Sequence, residues 1–388
     1  EFNSKSGATV IGAREFLIAY NVNLNTKDEK LAHEIALTIR EKGRFKKDKA
    51  GNFIKDKDGN KVKQEGLLKE CKAVGWYIDE YGQAQISINL TNYKITPVHL
   101  AFETAREQAR KLGLRVTGSE IVGLTPKEAL IMAGKFYLKK QHRSAAIPEK
   151  EIIETAIQSL GLKDLTDFCP EKKIIEFQFT NDCGKLVGMS VRGFNDILST
   201  ESPAPGGGSV AALCGSMAAG LDAMVANLTF NKKGYEKVWN KIEVLGEKAQ
   251  ILKDEMLDLI DKDTDAFNEV MAVHKIKAKT DEEKAEKEKL VEDATKKATD
   301  IPLTVMKKSR EILDISEQIV KFGNKNSASD GGVSAICCRA AAAGAYLNVL
   351  INLPGIKDEK FKEETKKTAK EILDDINKRV NKTLKIFS

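Results

Sequence analysis

Five aspartates in the second half of the chain have the residue type and the spacing that acid and base chemistry requires. Four recur at helical spacing and form one stripe: Asp254, Asp258, Asp261 and Asp265. Asp263 falls on the opposite, apolar side of the same helix, with Leu252, Met256, Leu259, Phe267 and Val270. A carboxyl group among apolar side chains needs a partner or keeps its proton.

Both positions therefore suit a carboxyl with a raised pKa, which a general acid near neutral pH requires. Each also has a purely structural interpretation. The stripe is equally typical of an exposed acidic face. Asp263 equally suits a buried hydrogen bond or salt bridge.

A glycine-rich loop precedes this helix by about fifty residues. The loop consists of Gly206, Gly207 and Gly208, followed by Ser209, and a helix is predicted to begin there. The start of such a helix presents backbone N–H groups and the positive end of the helix dipole to an anion. The loop lacks the Gly-Lys-Ser/Thr ending of a P-loop, and no GxGxxG follows a strand here. From its spacing alone, the loop is either a linker leading tightly into a helix or a ligand-binding loop.

The helix after the loop consists largely of small residues. Ala211, Gly215, Ala218 and Asp222 share one of its faces, and residues 340–345 supply a second small-residue segment. We therefore expect two helices to approach each other closely and to leave space against the loop.

Composition excludes several classes of function. The net charge of +6, from 63 basic and 57 acidic residues, is spread along the chain, so a nucleic-acid partner is not implied. The four histidines have no metal-ligand spacing, and we expect no metal. The cysteines form no CxxC pair, which favours reduced thiols and a cytoplasmic protein. We find no secretory leader and no uninterrupted apolar run of about 18 residues, and therefore expect no membrane span.

Two kinds of structure must position these residues. Residues 1–125 alternate strand and helix signals in the order βαββαβ, with a charged, exposed β-arm at residues 44–63, which predicts an α+β, ferredoxin-like domain. Residues 126–185 are predicted to be connecting helices. Residues 186–388 show one helical pattern after another, which predicts an all-α helical bundle.

Several motifs resemble the formimidoyltransferase-cyclodeaminase family. In the bundle these are Pro205-Gly-Gly-Gly-Ser-Val-Ala-Ala212, Leu259-Ile-Asp-Lys-Asp-Thr-Asp-Ala-Phe267 and Gly344-Ala-Tyr-Leu-Asn-Val-Leu-Ile-Asn-Leu353. In the first domain, residues 7–14, 16–24 and 74–80 are similar to the C-terminal subdomain of the formiminotransferase part. The motifs occur in order over nearly the whole chain, which makes the resemblance specific.

The resemblance implies a folate enzyme of histidine degradation. The transferase part moves a formimino group from formiminoglutamate to tetrahydrofolate, with or without a polyglutamate tail. The cyclodeaminase part closes 5-formiminotetrahydrofolate to 5,10-methenyltetrahydrofolate and releases ammonia. The family's catalytic aspartate matches Asp261, with Asp263 as a second candidate, and the loop from Gly206 to Ser209 is expected to bind the folate. The family also implies a homo-oligomer.

One feature of the family has no counterpart in this sequence. The transferase histidine belongs to a subdomain expected before Gly7, and no histidine here matches it. The resemblance therefore predicts that the catalytic transferase subdomain is missing, so that transferase activity is not expected of this chain alone. Two other functions suit the same residues: a methenyltetrahydrofolate cyclohydrolase on a similar bundle, and a non-catalytic folate-binding or oligomerisation module.

Overall fold

The computed structural model describes residues 3–5, 7–9, 11–48, 50–179 and 185–387. The chain divides into two compact units. Unit 1 comprises Glu1–Gln141 and Glu149–Asn181, and unit 2 comprises His142–Pro148 and Asp182–Ser388. Helices predicted to be connectors thus group with the sheet. The predicted domain boundaries at 125 and 185 stay predictions.

Unit 1 is a four-stranded antiparallel sheet with helices. Its elements are β1 (Ile18–Leu24), α1 (Glu29–Ile39), β2 (Arg44–Phe45), β3 (Lys63–Gln64), β4 (Cys71–Ile78), β5 (Gln83–Leu90), α2 (Val98–Lys111), β6 (Val116–Val122), α3 (Lys127–Lys140), α4 (Glu149–Leu160) and α5 (Pro170–Lys173). The main sheet has the order β4-β5-β1-β6, and every neighbouring pair is antiparallel. The α+β class is confirmed, and the ferredoxin-like assignment stays a prediction.

The central strand β1 is buried on both faces. Alternate residues such as Tyr20 and Val22 belong to the hydrophobic core, as the period of two in a strand requires. Asn21 and Asn23 lie on the other face and are also buried. The Asn21 amide donates to Glu120 at 2.8 Å, and Oδ1 of Asn23 accepts a hydrogen bond from the Gln85 amide. Nδ2 of Asn23 has no partner among the described residues.

The charged arm between α1 and β4 contains three paired segments, centred on Lys46, Ile54 and Val62. Their backbones form a closed triangle, in which Lys46 donates to Val62 (2.8 Å), Val62 to Ile54 (2.8 Å) and Ile54 to Lys46 (3.0 Å). Asp48 and Asp56 close the two connecting turns through hydrogen bonds from the backbone. The exposed β-arm is confirmed, and its three segments pair in a ring.

Unit 2 is helical, as predicted. Its helices are α6 (Val191–Leu198), α7 (Gly207–Thr229), α8 (Trp239–His274), α9 (Asp281–Phe322), α10 (Ala328–Asn352) and α11 (Glu359–Leu384). The small residues of α7 let it lie very close to α8, because a Cβ added to Gly215 would come within 1.8 Å of Cε of Met256. A Cβ added to Gly344 of α10 would lie 3.2 Å from Cβ of Ala211 of α7, so the expected close approach of the two small-residue helices occurs in this bundle.

Two stretches of unit 2 have the length and apolar composition of a membrane-spanning helix, namely Gly207–Thr229 and Lys325–Gly355. They were not predicted from the sequence, because polar or charged residues such as Asp222 and Arg339 interrupt both apolar runs. In the first stretch, 61% of the most apolar window is buried inside the protein. Apolar helices at the centre of a globular bundle have the same composition, so these stretches are weak evidence for a membrane.

Candidate functional site

A cavity of 340 Å³ in unit 2 is lined by the glycine loop and by three helices. The lining residues are Pro203, Ala204, Gly206, Gly207 and Gly208 before and at the start of α7, Asp263, Thr264, Phe267 and Val270 of α8, Thr295 and Ala298 of α9, and Asn348, Ile351 and Asn352 of α10. Three larger clefts of 530 to 740 Å³ lie on unit 1. Charged side chains dominate their linings, which contain none of the predicted catalytic or folate-binding residues.

The glycine loop leads directly into α7. Gly206 is the N-cap in an extended conformation, and α7 begins at Gly207 without a side-chain cap. The first N–H groups of a helix have no partner within the helix. The loop therefore supplies backbone donors, and the positive end of the helix dipole, at the edge of the cavity.

The carboxyl group of Asp263 packs directly against this helix start. The Ser209 hydroxyl lies 3.0 Å from Oδ2 of Asp263 and also 3.1 Å from the Ile260 carbonyl oxygen. The Ser209 backbone N–H donates to the same carboxyl group. A Cβ on Gly208 would lie only 2.1 Å from Oδ1 of Asp263, so glycine is the residue that allows this approach. Ser209 and Gly208 thus position the carboxyl group.

Burial raises the pKa of Asp263 above the ordinary range, and the hydrogen bonds from Ser209 offset part of this effect. A carboxyl group that keeps its proton at higher pH suits a general acid. In the sequence, Asp263 shares one face of its helix with apolar residues, and this position predicted the burial. Its role as an acid is a separate hypothesis.

Asp261 lies on α8 but does not line the cavity. Its Oδ1 accepts the backbone N–H of Leu186 at 2.9 Å, and its Oδ2 accepts that of Val187 at 3.4 Å. The Leu186 side chain is buried in the bundle core. The Asp261 carboxylate thus holds the segment that precedes α6 against helix α8. These contacts give Asp261 a structural role. The catalytic role that the family resemblance implies for it stays a prediction.

The remaining aspartates of the predicted stripe are exposed: Asp254, Asp258 and Asp265. Asp254 forms an ion pair with Lys253 at 3.1 Å. These three residues therefore follow the alternative of an exposed acidic face. The structure separates them from Asp263, whose carboxyl group faces the cavity.

Four polar cavity residues were not singled out from the sequence: Thr264, Thr295, Asn348 and Asn352. Both asparagines lie in Gly344–Leu353, a segment that carried the family resemblance without any assigned role. A spacing of four places them on one face of an otherwise apolar helix, which was an available signal. Thr295 had no local signal, because only helix packing brings it to the cavity.

Two family models match the chain in sequence. The model described as Formiminotransferase-cyclodeaminase matches residues 190–371, which contain the cavity. The model described as Formiminotransferase domain matches residues 19–180. The expectation that the catalytic subdomain of the transferase part is missing from this chain is therefore not supported, because the formiminotransferase domain is matched.

Named relatives agree with these matches. Formimidoyltransferase-cyclodeaminase of Dictyostelium discoideum is 40% identical over 392 residues, covering 100% of this chain and 68% of that protein. The protein of the same name from Gallus gallus is 36% identical over 371 residues, covering 95% and 65%. The chain thus spans about two thirds of the length of these relatives. Methenyltetrahydrofolate cyclohydrolase of Methylorubrum extorquens is 37% identical over 199 residues, covering 50% of this chain and 96% of that protein.

Both domain models match in order along the sequence, and the Dictyostelium relative aligns with all of it. The chain belongs to the formimidoyltransferase-cyclodeaminase family.

Proposed function

We propose that unit 2 is a formimidoyltetrahydrofolate cyclodeaminase, which converts 5-formiminotetrahydrofolate to 5,10-methenyltetrahydrofolate and ammonia in histidine degradation. One observation carries the proposal: in a chain of this family, a single carboxyl group with a raised pKa lies against a glycine-rich helix start in a cavity. Family membership supports the folate substrate. Metal ions have no role in the proposed reaction, and that absence stays a prediction.

The reaction transfers one proton in total. The 10-nitrogen attacks the carbon of the protonated formimino group, which closes the ring and leaves an amino group on that carbon. The proton lost from the 10-nitrogen must reach this amino group, which then leaves as ammonia while the carbon becomes the methenyl cation. We assign this shuttle to Asp263, since it gives its proton to the departing nitrogen and takes one back from the 10-nitrogen.

The glycine loop holds the folate beside that carboxyl group. Gly206, Gly207 and Gly208 contribute backbone contacts, while Ser209 acts on Asp263, since its hydroxyl and N–H both contact that side chain. Ser209 is thus a positioning residue in this proposal. Fixing the two reacting nitrogens in one cavity supplies part of the acceleration by itself.

The test is to supply the purified chain with 5-formiminotetrahydrofolate and to follow the near-ultraviolet absorbance of methenyltetrahydrofolate together with ammonia release. We expect both products at equal rates, above the spontaneous rate. Folate binding without turnover in folded protein would contradict the enzyme and favour the non-catalytic binding module.

A second candidate is a methenyltetrahydrofolate cyclohydrolase. The Methylorubrum relative of that name aligns with half of this chain, and this observation favours it. The same cavity and carboxyl group would then act on the reaction of methenyltetrahydrofolate with water. Consumption of methenyltetrahydrofolate without ammonia release would select this candidate.

Unit 1 contributes to glutamate formimidoyltransferase activity in our proposal. The match of residues 19–180 to the formiminotransferase domain supports it. The strand order β4-β5-β1-β6 also supports the split βαβ, ferredoxin-like assignment of this unit. Formation of 5-formiminotetrahydrofolate from formiminoglutamate and tetrahydrofolate would test the activity, and its absence from folded chain would contradict it.

Replacing Gly208 by alanine is expected to lower the turnover of the proposed reaction by about 100-fold, because misplacing a catalytic group by about 1 Å has effects of that size. The new Cβ would lie 2.1 Å from Oδ1 of Asp263 and must displace it. Gly207→Ala is the matched control, since its Cβ would lie at an ordinary 3.4 Å from Nδ2 of Asn348. Equal kcat values for the two variants would contradict the positioning role of the loop.

We further propose that the chain forms a homo-oligomer through α7 and α10. These helices pack side by side, and each leaves apolar side chains exposed: Met217, Met224, Leu228, Val333, Ile336, Leu347 and Ile351. Ile351 is 76% exposed and also lines the cavity. A second copy covering this surface would therefore also enclose the cavity.

Ile336→Glu is expected to weaken this association by about 100-fold or more, because an unpaired charge buried in an apolar interface costs several kcal/mol. Sedimentation velocity over a range of concentrations measures the shift towards monomer. Lys366→Glu, on an exposed face of α11, is the control and should leave assembly unchanged. An unchanged sedimentation profile for Ile336→Glu would place any interface elsewhere.

We also propose that the protein is cytoplasmic. Five cysteines are free, which supports a reducing compartment: Cys71, Cys169, Cys214, Cys337 and Cys338. The sixth, Cys183, lies outside the described residues. Fractionation of cells that produce the protein would contradict this location if the protein collected with secreted or membrane fractions.

A further inference from the structure

The main sheet of unit 1 has a polar face, opposite the apolar face that packs against the helices. The strand register places two rows of side chains on this polar face: Val74, Ser87, Asn21 and Glu120 in one row, and Trp76, Gln85 and Asn23 in the next. Val74 is 46% and Trp76 42% exposed, whereas the two asparagines and Gln85 are buried. The polar face thus combines a buried hydrogen-bonded centre with accessible side chains.

The half-buried carboxyl group of Glu120 is the acceptor at one end of the first row. Its Oε1 accepts the Asn21 amide at 2.8 Å and the Gln85 amide at 3.4 Å. Its Oε2 accepts the Tyr81 hydroxyl at 3.1 Å. A carboxylate has about four acceptor positions, so Oε2 keeps one for a further donor.

The three donors to Glu120 are neutral and do not balance its charge. No lysine or arginine forms an ion pair with Glu120 among the residues that the structure describes. Gln85 is itself held in place, because it also donates to Asn23 and accepts the Trp76 indole N–H at 3.2 Å. The Glu120 carboxylate is therefore fixed in position without being neutralised, which favours a cation as its ligand.

The proposed transferase reaction of unit 1 includes one group of this kind. The formimino group of formiminoglutamate is an amidine, which is planar and protonated at neutral pH and carries N–H donors on both nitrogens. Its cation resembles the guanidinium of arginine, which pairs with carboxylates through N–H···O hydrogen bonds. The other charged groups of formiminoglutamate and tetrahydrofolate are carboxylates, which Glu120 would repel.

We propose that Glu120 binds the cationic formimino group of formiminoglutamate. Its Oε2 accepts an N–H of that group, while Asn21, Gln85 and Tyr81 hold the carboxylate in place. This assignment rests on the proposed transferase function of unit 1.

The experiment measures binding to the full chain by isothermal titration calorimetry, with formiminoglutamate and with N-formylglutamate as its neutral analogue. The wild type should bind the formimino compound about 10-fold more tightly, the lower end for a hydrogen bond to a charged group, because the site is partly exposed. Glu120→Gln removes the charge and keeps the shape, so it should abolish this preference. Glu128→Gln, on an exposed position of α3, is the charge-matched control and should keep it.

Two further measurements separate the charge of Glu120 from the structure around it. Tyr81→Phe removes one hydrogen bond to the carboxylate and leaves its charge, so the preference should be kept. In the wild type, acetamidinium should displace formiminoglutamate, and neutral acetamide should not.

The inference fails if the wild type shows no preference, if Glu120→Gln keeps it, or if Tyr81→Phe loses it equally. It also fails if acetamidinium and acetamide compete alike. Absence of formiminoglutamate binding to the wild-type chain would instead contradict the transferase function of unit 1, so the two failures are distinguishable.

Discussion

Replacing Asp263 by asparagine is expected to lower kcat for ring closure by about 10²- to 10⁴-fold, the usual contribution of a general acid or base. The asparagine has the same shape, and its oxygen can still accept the Ser209 hydrogen bond, but its amide cannot exchange the proton. KM should change little, since the glycine loop and the α10 wall stay in place. Initial rates from the methenyltetrahydrofolate absorbance give both constants.

Asp261→Asn is the control for this experiment, on the same helix and two residues away. Its carboxylate accepts hydrogen bonds from the backbone N–H groups of Leu186 and Val187. Weakening these bonds should cost about 1 kcal/mol of folding free energy, which lowers the melting temperature by a few degrees. Its kcat should stay close to that of the wild type. An inactive Asp261→Asn beside an active Asp263→Asn would instead assign the proton transfer to Asp261, as the family resemblance implies.

The partial burial of Asp263 was predictable because it depends on one helix alone. At about 100° per residue, Asp263 has the phase of Leu259 and Met256, while Asp258 and Asp265 point to solvent. The same local reasoning predicted a helical second unit and the close approach permitted by small residues. Phase within a helix is a property of sequence spacing.

Contacts between distant segments were not predictable in this way. Thr295 and Asn348 reach the cavity only through the packing of α9 and α10. A local sequence pattern does not predict which turns of two helices contact each other. The two amide contacts of Asp261 depend on the path of the chain before α6. The charged arm is another contact of this kind. Its segments recur every eight residues in the sequence, but this spacing alone does not predict that three of them pair in a ring.

A second carboxyl group, Asp222, makes the stability of unit 2 depend on pH. It is wholly buried on α7, where its Oδ2 accepts the Ser316 hydroxyl at 2.7 Å. Its Oδ1 has no hydrogen-bond partner among the described residues. Burial is the main cause that raises the pKa of Asp222 to about 8, while hydrogen bonds from Ser316 and Ser334 lower it in part.

The raised pKa fixes the direction of the effect. Between the unfolded-state pKa of 3.8 and the folded-state value of about 8, the folded protein binds a proton that the unfolded chain has released. The contribution of Asp222 to stability is therefore complete below pH 4, declines as pH rises towards 8, and is then constant. At 1.36 kcal/mol per pH unit, the decline is on the order of 5 kcal/mol.

Asp222→Asn should remove this dependence, because the amide resembles the protonated acid and does not titrate. Its stability relative to the wild type should rise between pH 4 and 8 by an amount on the order of 5 kcal/mol. Urea unfolding at several pH values, followed by far-ultraviolet circular dichroism, measures the difference. Parallel stability curves for the two proteins would mean that Asp222 titrates alike in the folded and unfolded chains. Its burial would then be relieved by water or by motion of α7, and the core of the bundle would not be dry at this point.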